Sequence, residues 1–253
     1  GILDGKMISY HENGKINSER AYKEGNKDGK WITYYENGQI MTEENYINGA
    51  ENGTWTTYHI NGQLEKEQNY KNGIEDGKMR VYYQNGQLKE EGYFKDGTNV
   101  GLWTAYNKDG EKDGTWTTYY DNGQVERAEN YKDGKEDGKW TSYYINGRIK
   151  EEGNFQDGNK DDTWTTYYEN GQVEREENYK DGTNVGLWTA YSEDGKKDGT
   201  WTFYYKNGQI KEEGKFQDDK RDGTHAYYYK NGQIEKEEKF QDGTNVGLWT
   251  AYN

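Results

Sequence analysis

The chain contains no cysteine and no proline. Without cysteine there is no disulfide framework, no thiol nucleophile and no cysteine-based zinc site. Without proline, no residue is barred from donating to a β-ladder. No apolar run approaches the roughly 20 residues that a membrane-crossing helix needs. No secretory signal pattern is present. The chain starts at Gly1 without Met and inside a motif, so a fragment or a processed form is expected. An excess of basic residues is missing as well: 47 Asp and Glu against 33 Lys and Arg leave a net charge of -14. Nucleic acids and anionic membranes both recruit Lys and Arg, so neither is an expected partner.

What is present points two ways. A mean hydropathy of -1.48 and 32% charged residues match a disordered chain. Yet 16% of the residues are aromatic, with 26 Tyr and 9 Trp, which a disordered chain does not carry. Periodicity decides between the two.

Gly5, Gly29, Gly53, Gly77 and Gly101 follow one another at intervals of 24 residues. Gly114 comes after 13, Gly138 after 24, Asp162 holds the next place, and Gly186 follows; a second 13-residue step leads to Gly199, then Gly223 and Gly247. The chain thus holds nine full units, two short ones and the start of another. The common pattern of the full units is W-x-x-Y-Y-x-N-G-Q-(I/L/V)-x-x-E-x-x-(Y/F)-x-x-G, as in Trp31, Tyr34, Tyr35, Asn37, Gly38, Gln39, Ile40, Glu43, Tyr46 and Gly49. Asn-Gly between two aromatic or β-branched runs predicts a two-residue type I′ hairpin turn, because both residues tolerate positive φ. The connection from one unit to the next, such as residues 131–138, reads as a longer loop.

The expected fold is therefore all-β with no helices: an elongated, open antiparallel meander of tandem hairpins, about 21 strands, with period 24 and two 13-residue units. At roughly 4.8 Å per strand it would run about 100 Å. Residues 1–253 read as a single continuous repeat array. The short units keep the first strand and lose the 11 residues after the turn, so breaks are expected near residues 107–113 and 192–198. Each is announced by the same phrase, at Asp96 to Tyr106 and Asp181 to Tyr191, and the phrase returns at Asp242 to Tyr252.

Alternation across a strand puts Trp31, Thr33 and Tyr35 on one face with Ile40, Thr42 and Tyr46, the side expected to be buried. The other face carries one Tyr per unit and, one pair away, a recurring Glu. Tyr34, Tyr58, Tyr82, Tyr119, Tyr143, Tyr167 and Tyr204, with Glu43, Glu67, Glu91, Glu152 and Glu176, form the candidate binding surface; Ala128 breaks the Glu row. Cross-strand packing in a structural repeat would produce the same regularity. Gly92, Gly153 and Gly214 fall opposite Met79, Trp140 and Trp201, an arrangement in which a ring covers a strand glycine.

No catalytic set stands out. His11 and His59 occupy the place of the second Tyr, and His225 that of Trp, so all three read as structural. There is no Walker, G-x-G-x-x-G or H-E-x-x-H pattern. The Asp/Asn-Gly loops lack the spacing of a calcium loop, and turn chemistry explains them. No cofactor and no metal is expected.

The repeated W-x-x-Y-Y-x-N-G-Q followed by Y-x-x-G-x-x-x-G resembles the MORN repeat, and more closely its bacterial variant. The resemblance implies an extended hairpin array that mediates protein contacts. Bacterial variant-type proteins also include antitoxin-like and surface proteins. The Trp-Tyr-Tyr strands are similar, too, to aromatic hairpin repeats of choline-binding and clostridial-toxin modules, which bind glycans or cell wall. This chain lacks the Gly-Trp pair of those modules. The expected function is a non-enzymatic scaffold for protein partners, basic ones included. The alternatives are a carbohydrate- or cell-surface-binding adhesin module and an antitoxin-like or immunity protein. End-to-end self-association is a further expectation, since neither end of the array looks capped. The bias to Lys, Asn, Glu, Ile and Tyr leans towards a bacterial source, secreted or at the cell surface, with the cytoplasm as the alternative.

Overall fold

A computed structural model of the chain describes residues 2–185, 189–205, 207–247 and 250–251. Gly186 and Tyr252, and with them parts of the two later copies of the repeated phrase, lie outside the described residues. Among the described residues there are 25 strands and no helix. Four of these are two-residue leads, Asn26–Lys27, Ala50–Glu51, Thr183–Asn184 and Thr244–Asn245. Each pairs with the same strand as the longer or later piece that follows it. Counted with those pieces, the 25 become 21. Within each of the two sheets, one of 19 strands and one of six, strands that follow one another pair antiparallel, so the fold is an open meander.

The chain divides into two compact units. One holds residues 1–125 and 131–134, the other 126–130 and 135–253. In the first, pairing runs from Gly5–Tyr10 through each successive strand to Gly114–Tyr119. In the second, Lys135–Tyr143, Ile149–Gln156, Asn159–Tyr167 and Val173–Lys180 pair in order. So do Gly199–Tyr204, Ile210–Gln217, Lys220–Tyr228 and Ile234–Gln241. Across the first short unit, strands stop at Ala105 and resume at Gly114, with one isolated bridge between Tyr106 and Lys112.

The turns correct the expectation in an instructive way. The Asn-Gly connection is a three-residue loop, not a type I′ turn. Gly38 N–H bonds Tyr35 O at 2.8 Å, Tyr35 N–H bonds Gln39 O at 2.8 Å, and Gly38 alone has positive φ, 91°. That is a type I turn closed by a glycine bulge. A second register shift, between Thr33 and Tyr34, absorbs the extra residue. Trp31 therefore still faces Glu44 and Thr33 faces Thr42, as a two-residue loop would have placed them. The two-residue turns lie instead between units, where a longer loop was expected. Asn48 (φ 50°) and Gly49 (φ 85°) join Ile47 directly to its partner Ala50, and Asp157-Gly158 joins Gln156 to Asn159 in the same way. Asn or Asp followed by Gly suits both turns. The dipeptide alone does not choose between them.

The core is a file of rings on one face. In the first unit Tyr22, Trp31, Tyr46, Trp55 and Tyr70 succeed one another at centroid distances of 5.1, 5.3, 5.5 and 4.9 Å. In the second, Trp201, Phe216, His225 and Phe240 continue at 5.5, 5.4 and 5.1 Å. Several Trp are pinned by a carbonyl of the preceding strand: Trp31 Nε1 donates to Ala21 O, Trp116 to Ala105 O and Trp201 to Ala190 O, at 2.8, 2.8 and 2.9 Å. A buried indole N–H left unbonded would cost roughly 1–3 kcal/mol, so this carbonyl contact fixes the ring's orientation.

Candidate interaction surface

The opposite face carries the candidate tyrosines and glutamates. Tyr34 Oη donates to Glu19 Oε1 at 2.8 Å, Tyr58 to Glu43 at 3.2 Å, Tyr82 to Glu67 at 3.2 Å and Tyr167 to Glu152 at 2.8 Å. Tyr228 makes the same bond to Glu213. The ladder exists, but each Tyr reaches the Glu of the preceding hairpin, not that of its own. The register shift at each Tyr explains this. It puts Ile40 opposite Tyr34, so the regular diagonal towards Glu43 is broken on that side, while the ladder to Glu19 and Ile32 is undisturbed.

Lysines and an arginine complete the row. Lys30 pairs with Glu43 at 2.7 Å, Lys78 with Glu91 at 2.7 Å and Lys139 with Glu152 at 2.9 Å. Arg80 bridges Glu67 and Glu91 at 2.8 and 3.3 Å. These bonds shift the acidities. Burial, then the bond to Glu19, pushes Tyr34 up to about 12. Burial, then Glu152, does the same for Tyr167, and the Glu213 bond leads for Tyr228. The Lys139 ammonium beside Glu152, helped by the Tyr167 hydroxyl, holds that carboxyl below its usual range.

The structure does not give every candidate this environment. Tyr119 follows a short unit, which has no second strand and hence no Glu; its ring meets Trp103 at 6.4 Å instead. Tyr204 follows the other short unit and is raised by burial first, then by Glu213. Before Tyr143 the carboxylate place is Ala128. Glu176 receives Thr189 Oγ1 at 3.5 Å.

Three further columns went unread in the sequence. The second aromatic of the Tyr-Tyr pair bonds the first Tyr of the next hairpin: Tyr35 Oη to Tyr58 O at 2.7 Å, Tyr83 to Tyr106 O at 2.8 Å, Tyr168 to Tyr191 O at 2.7 Å. His11 and His59 do the same from Nε2 at 2.9 and 3.1 Å. The turn asparagines bridge to the next turn, Asn61 Nδ2 to Gln84 O at 3.0 Å and Asn85 Nδ2 to Lys108 O at 2.9 Å. On the aromatic face, a lysine four residues before Trp lies over the indole ring. Lys27, Lys112, Lys160 and Lys197 stand 4.4, 4.0, 3.7 and 4.2 Å from the ring centroids of Trp31, Trp116, Trp164 and Trp201. Period-24 alignment places these lysines in one column, and a Lys four residues before Trp was the available signal.

His225 is fully buried in the Trp slot, and its Nε2 lies 2.8 Å from Lys215 O. A carbonyl only accepts, so Nε2 carries the proton and reproduces the indole bond. The strand glycines are covered by rings, but from the following strand. A Cβ on Gly92, Gly153 or Gly214 would lie 2.2, 2.3 or 2.2 Å from Trp103, Trp164 or His225. Trp140 and Trp164 meet across Gly153 at 5.3 Å.

Among the described residues no group of three or more His, Cys, Asp or Glu is arranged to hold a metal ion. Among the described residues no helix is long and apolar enough to cross a membrane.

No curated protein sequence matches the chain. Solved structures that align over 98% of the chain include TcdB2-TccC3-TEV (13% identity, TM-score 0.23) and TcdB2-TccC3 (14%, 0.22). The Photorhabdus luminescens Tc holotoxin pore with the TccC3-D651A mutation aligns at 14% identity and a TM-score of 0.21. The chain spans about 15% of the length of each of these. The MORN repeat variant model matches nine times, at residues 3–24, 27–48, 51–72, 75–96, 112–133, 136–157, 163–181, 197–218 and 221–242. The long gaps, at residues 97–111 and 182–196, overlap the two short units. With nine matches over most of its length, the chain belongs to the MORN repeat variant family.

Proposed function

We propose that the chain is a non-enzymatic scaffold that binds a protein partner through its repeated aromatic and acidic face. The observation that supports this reading most is the same hydroxyl–carboxylate bond in successive hairpins, Tyr34–Glu19, Tyr58–Glu43 and Tyr82–Glu67. It holds rings and carboxylates at a fixed spacing before any partner arrives, which lowers the ordering cost of binding. Tyrosine gives a large contact area with few torsions to freeze, and carboxylates select basic segments. Catalysis would need one distinct environment, and these groups recur as copies.

The test is affinity capture from the source organism with the intact chain and with a Tyr58→Ala/Glu43→Ala variant. A protein retained by the first and lost at least about tenfold by the second, one hot spot's worth of binding, supports the reading. Binding to glycans on an array, lost on changing Tyr143 and Tyr167, with no protein captured, would replace it by a carbohydrate-binding role.

A further inference from the structure

The lysine column has a gap. In the repeats of Trp31, Trp116, Trp164 and Trp201, the lysine four residues earlier lies between two rings, its Nζ also 4.4, 4.5, 5.3 and 5.3 Å from Tyr46, Tyr131, Tyr179 and Phe216. In the first of these, Lys27 Nζ also donates to Tyr46 Oη at 3.1 Å. Trp55 and Tyr70 form the same ring pair, 4.9 Å apart, but the slot before them is Glu51. No cation lies over either ring among the described residues.

What surrounds this pair is acidic. Glu51 stands opposite Tyr46, Glu75 opposite Tyr70, and Glu44 accepts the Tyr46 hydroxyl at 2.9 Å. None of the three carboxylates makes an ion pair among the described residues. Glu75 and Glu51 both add to the burial that raises Tyr70. Directly across from Trp55 sits Gln68, only 2% exposed, with neither Oε1 nor Nε2 hydrogen-bonded. Buried side-chain amides are almost always bonded, so this one lacks the partner that such a group ordinarily has. Gln68, Trp55, Tyr70 and Glu44 line a recess of about 120 Å³, far above the roughly 10–15 Å³ that a single water needs. Lys66 lines the Thr57 end of the recess and stacks on neither ring.

We propose that this recess receives a lysine side chain of a basic partner protein, its ammonium set against the Trp55 and Tyr70 rings as the Lys27 ammonium is set against Trp31 and Tyr46. The proposal rests on the scaffold reading for its basic protein partner, and it adds the Trp-bearing face to the Tyr–Glu face as a contact surface. The two rings supply their faces to the ammonium, the carboxylates supply long-range attraction, and Gln68 Oε1 accepts one of its N–H groups. A quaternary ammonium has no N–H to give, so Gln68 and the carboxylates favour the primary amine over a choline-like group. The other Trp-bearing slot with an acidic residue, Glu136 before Trp140, differs because Glu136 is engaged within the protein.

The experiment uses the intact chain and follows Trp indole N–H signals by NMR during titration with n-butylammonium, and separately with tetramethylammonium. The expected result is a saturable shift of the Trp55 signal with butylammonium, while the Trp31 and Trp116 signals stay in place. Glu51→Lys should fill the site from within, as Lys27 does, and weaken binding by about tenfold or more, the loss of one desolvated cation–π contact. Gln68→Leu should weaken butylammonium severalfold and leave tetramethylammonium unchanged. If Glu51→Lys does not fold, the Glu51→Gln/Glu75→Gln variant serves, with severalfold weakening expected. No response of Trp55 to butylammonium overturns the proposal. So does equal or tighter binding of tetramethylammonium, which would point to a quaternary headgroup. If a captured protein partner binds the Glu51→Lys chain undiminished, the scaffold reading stands and the lysine site falls.

Discussion

At the residue scale, the tyrosine hydroxyls tie adjacent hairpins together and should be felt in alkali. Tyr34, Tyr167 and Tyr228 are each held at about 12, above the ordinary value of 10. A group whose folded pKa exceeds its unfolded pKa contributes stability that is intact below the unfolded value and is lost as pH rises through the folded one. Stability is therefore expected to fall between pH of about 10 and 12, followed by circular dichroism alongside tyrosinate absorbance. Tyr167→Phe removes one bond to Glu152 and should cost about 0.5–1.5 kcal/mol in urea unfolding at neutral pH. The turn asparagines give a second test. In a type I′ turn Asn61→Gly would be nearly neutral. In the observed turn Asn61 Oδ1 accepts Gln63 N–H and its Nδ2 reaches Gln84 O, both at 3.0 Å. Asn61→Gly should then cost about 0.5–1 kcal/mol. A neutral result would argue for the simpler turn.

At the scale of the strand, the missing side chain of Gly153 matters as much as any present one. Its backbone is ordinary extended chain, so an alanine there suffers no torsional strain. The added Cβ would instead lie 2.3 Å from the Trp164 ring, which is 3% exposed and held by Nε1–H to Asn154 O at 3.1 Å. Gly153→Ala is expected to destabilise by about 1–3 kcal/mol through overpacking, read as a lowered urea midpoint with unchanged slope. Gly153 was legible in the sequence as a strand glycine beneath a ring, and its pairing with Trp140 is as expected. The ring that covers it was not, because the pairing register says which residue is opposite and not towards which neighbour a Trp side chain leans.

At the scale of the molecule, strands within each compact unit pair with their sequence neighbours, so stability should be a sum of local terms. Trp201→Ala removes a ring that is 3% exposed and should cost about 3–5 kcal/mol locally. Amide exchange is expected to speed up in Gly199–Tyr204 and Ile210–Gln217 and to stay slow in Gly29–Tyr34 and Ile40–Ile47. Uniform loss of protection along the chain would instead mean one cooperative unit. The short units are the natural limits of such spread, since each lacks the strand that would carry a Glu to the next Tyr.

The sequence by itself determined the repeat, the hairpin in each unit, the 21 strands and the two faces. All of these follow from local periodicity, which is written in residue order. It also placed the histidines in structural slots, because each stands where an aromatic stands elsewhere. Only the tertiary structure decided which turn is tight, which Glu each Tyr bonds, and that the lysine column lies over the rings. These depend on how one hairpin lies against the next. A compensating pair of register shifts leaves the strand partners unchanged while it redirects the side chains, and a one-dimensional pattern carries no trace of that.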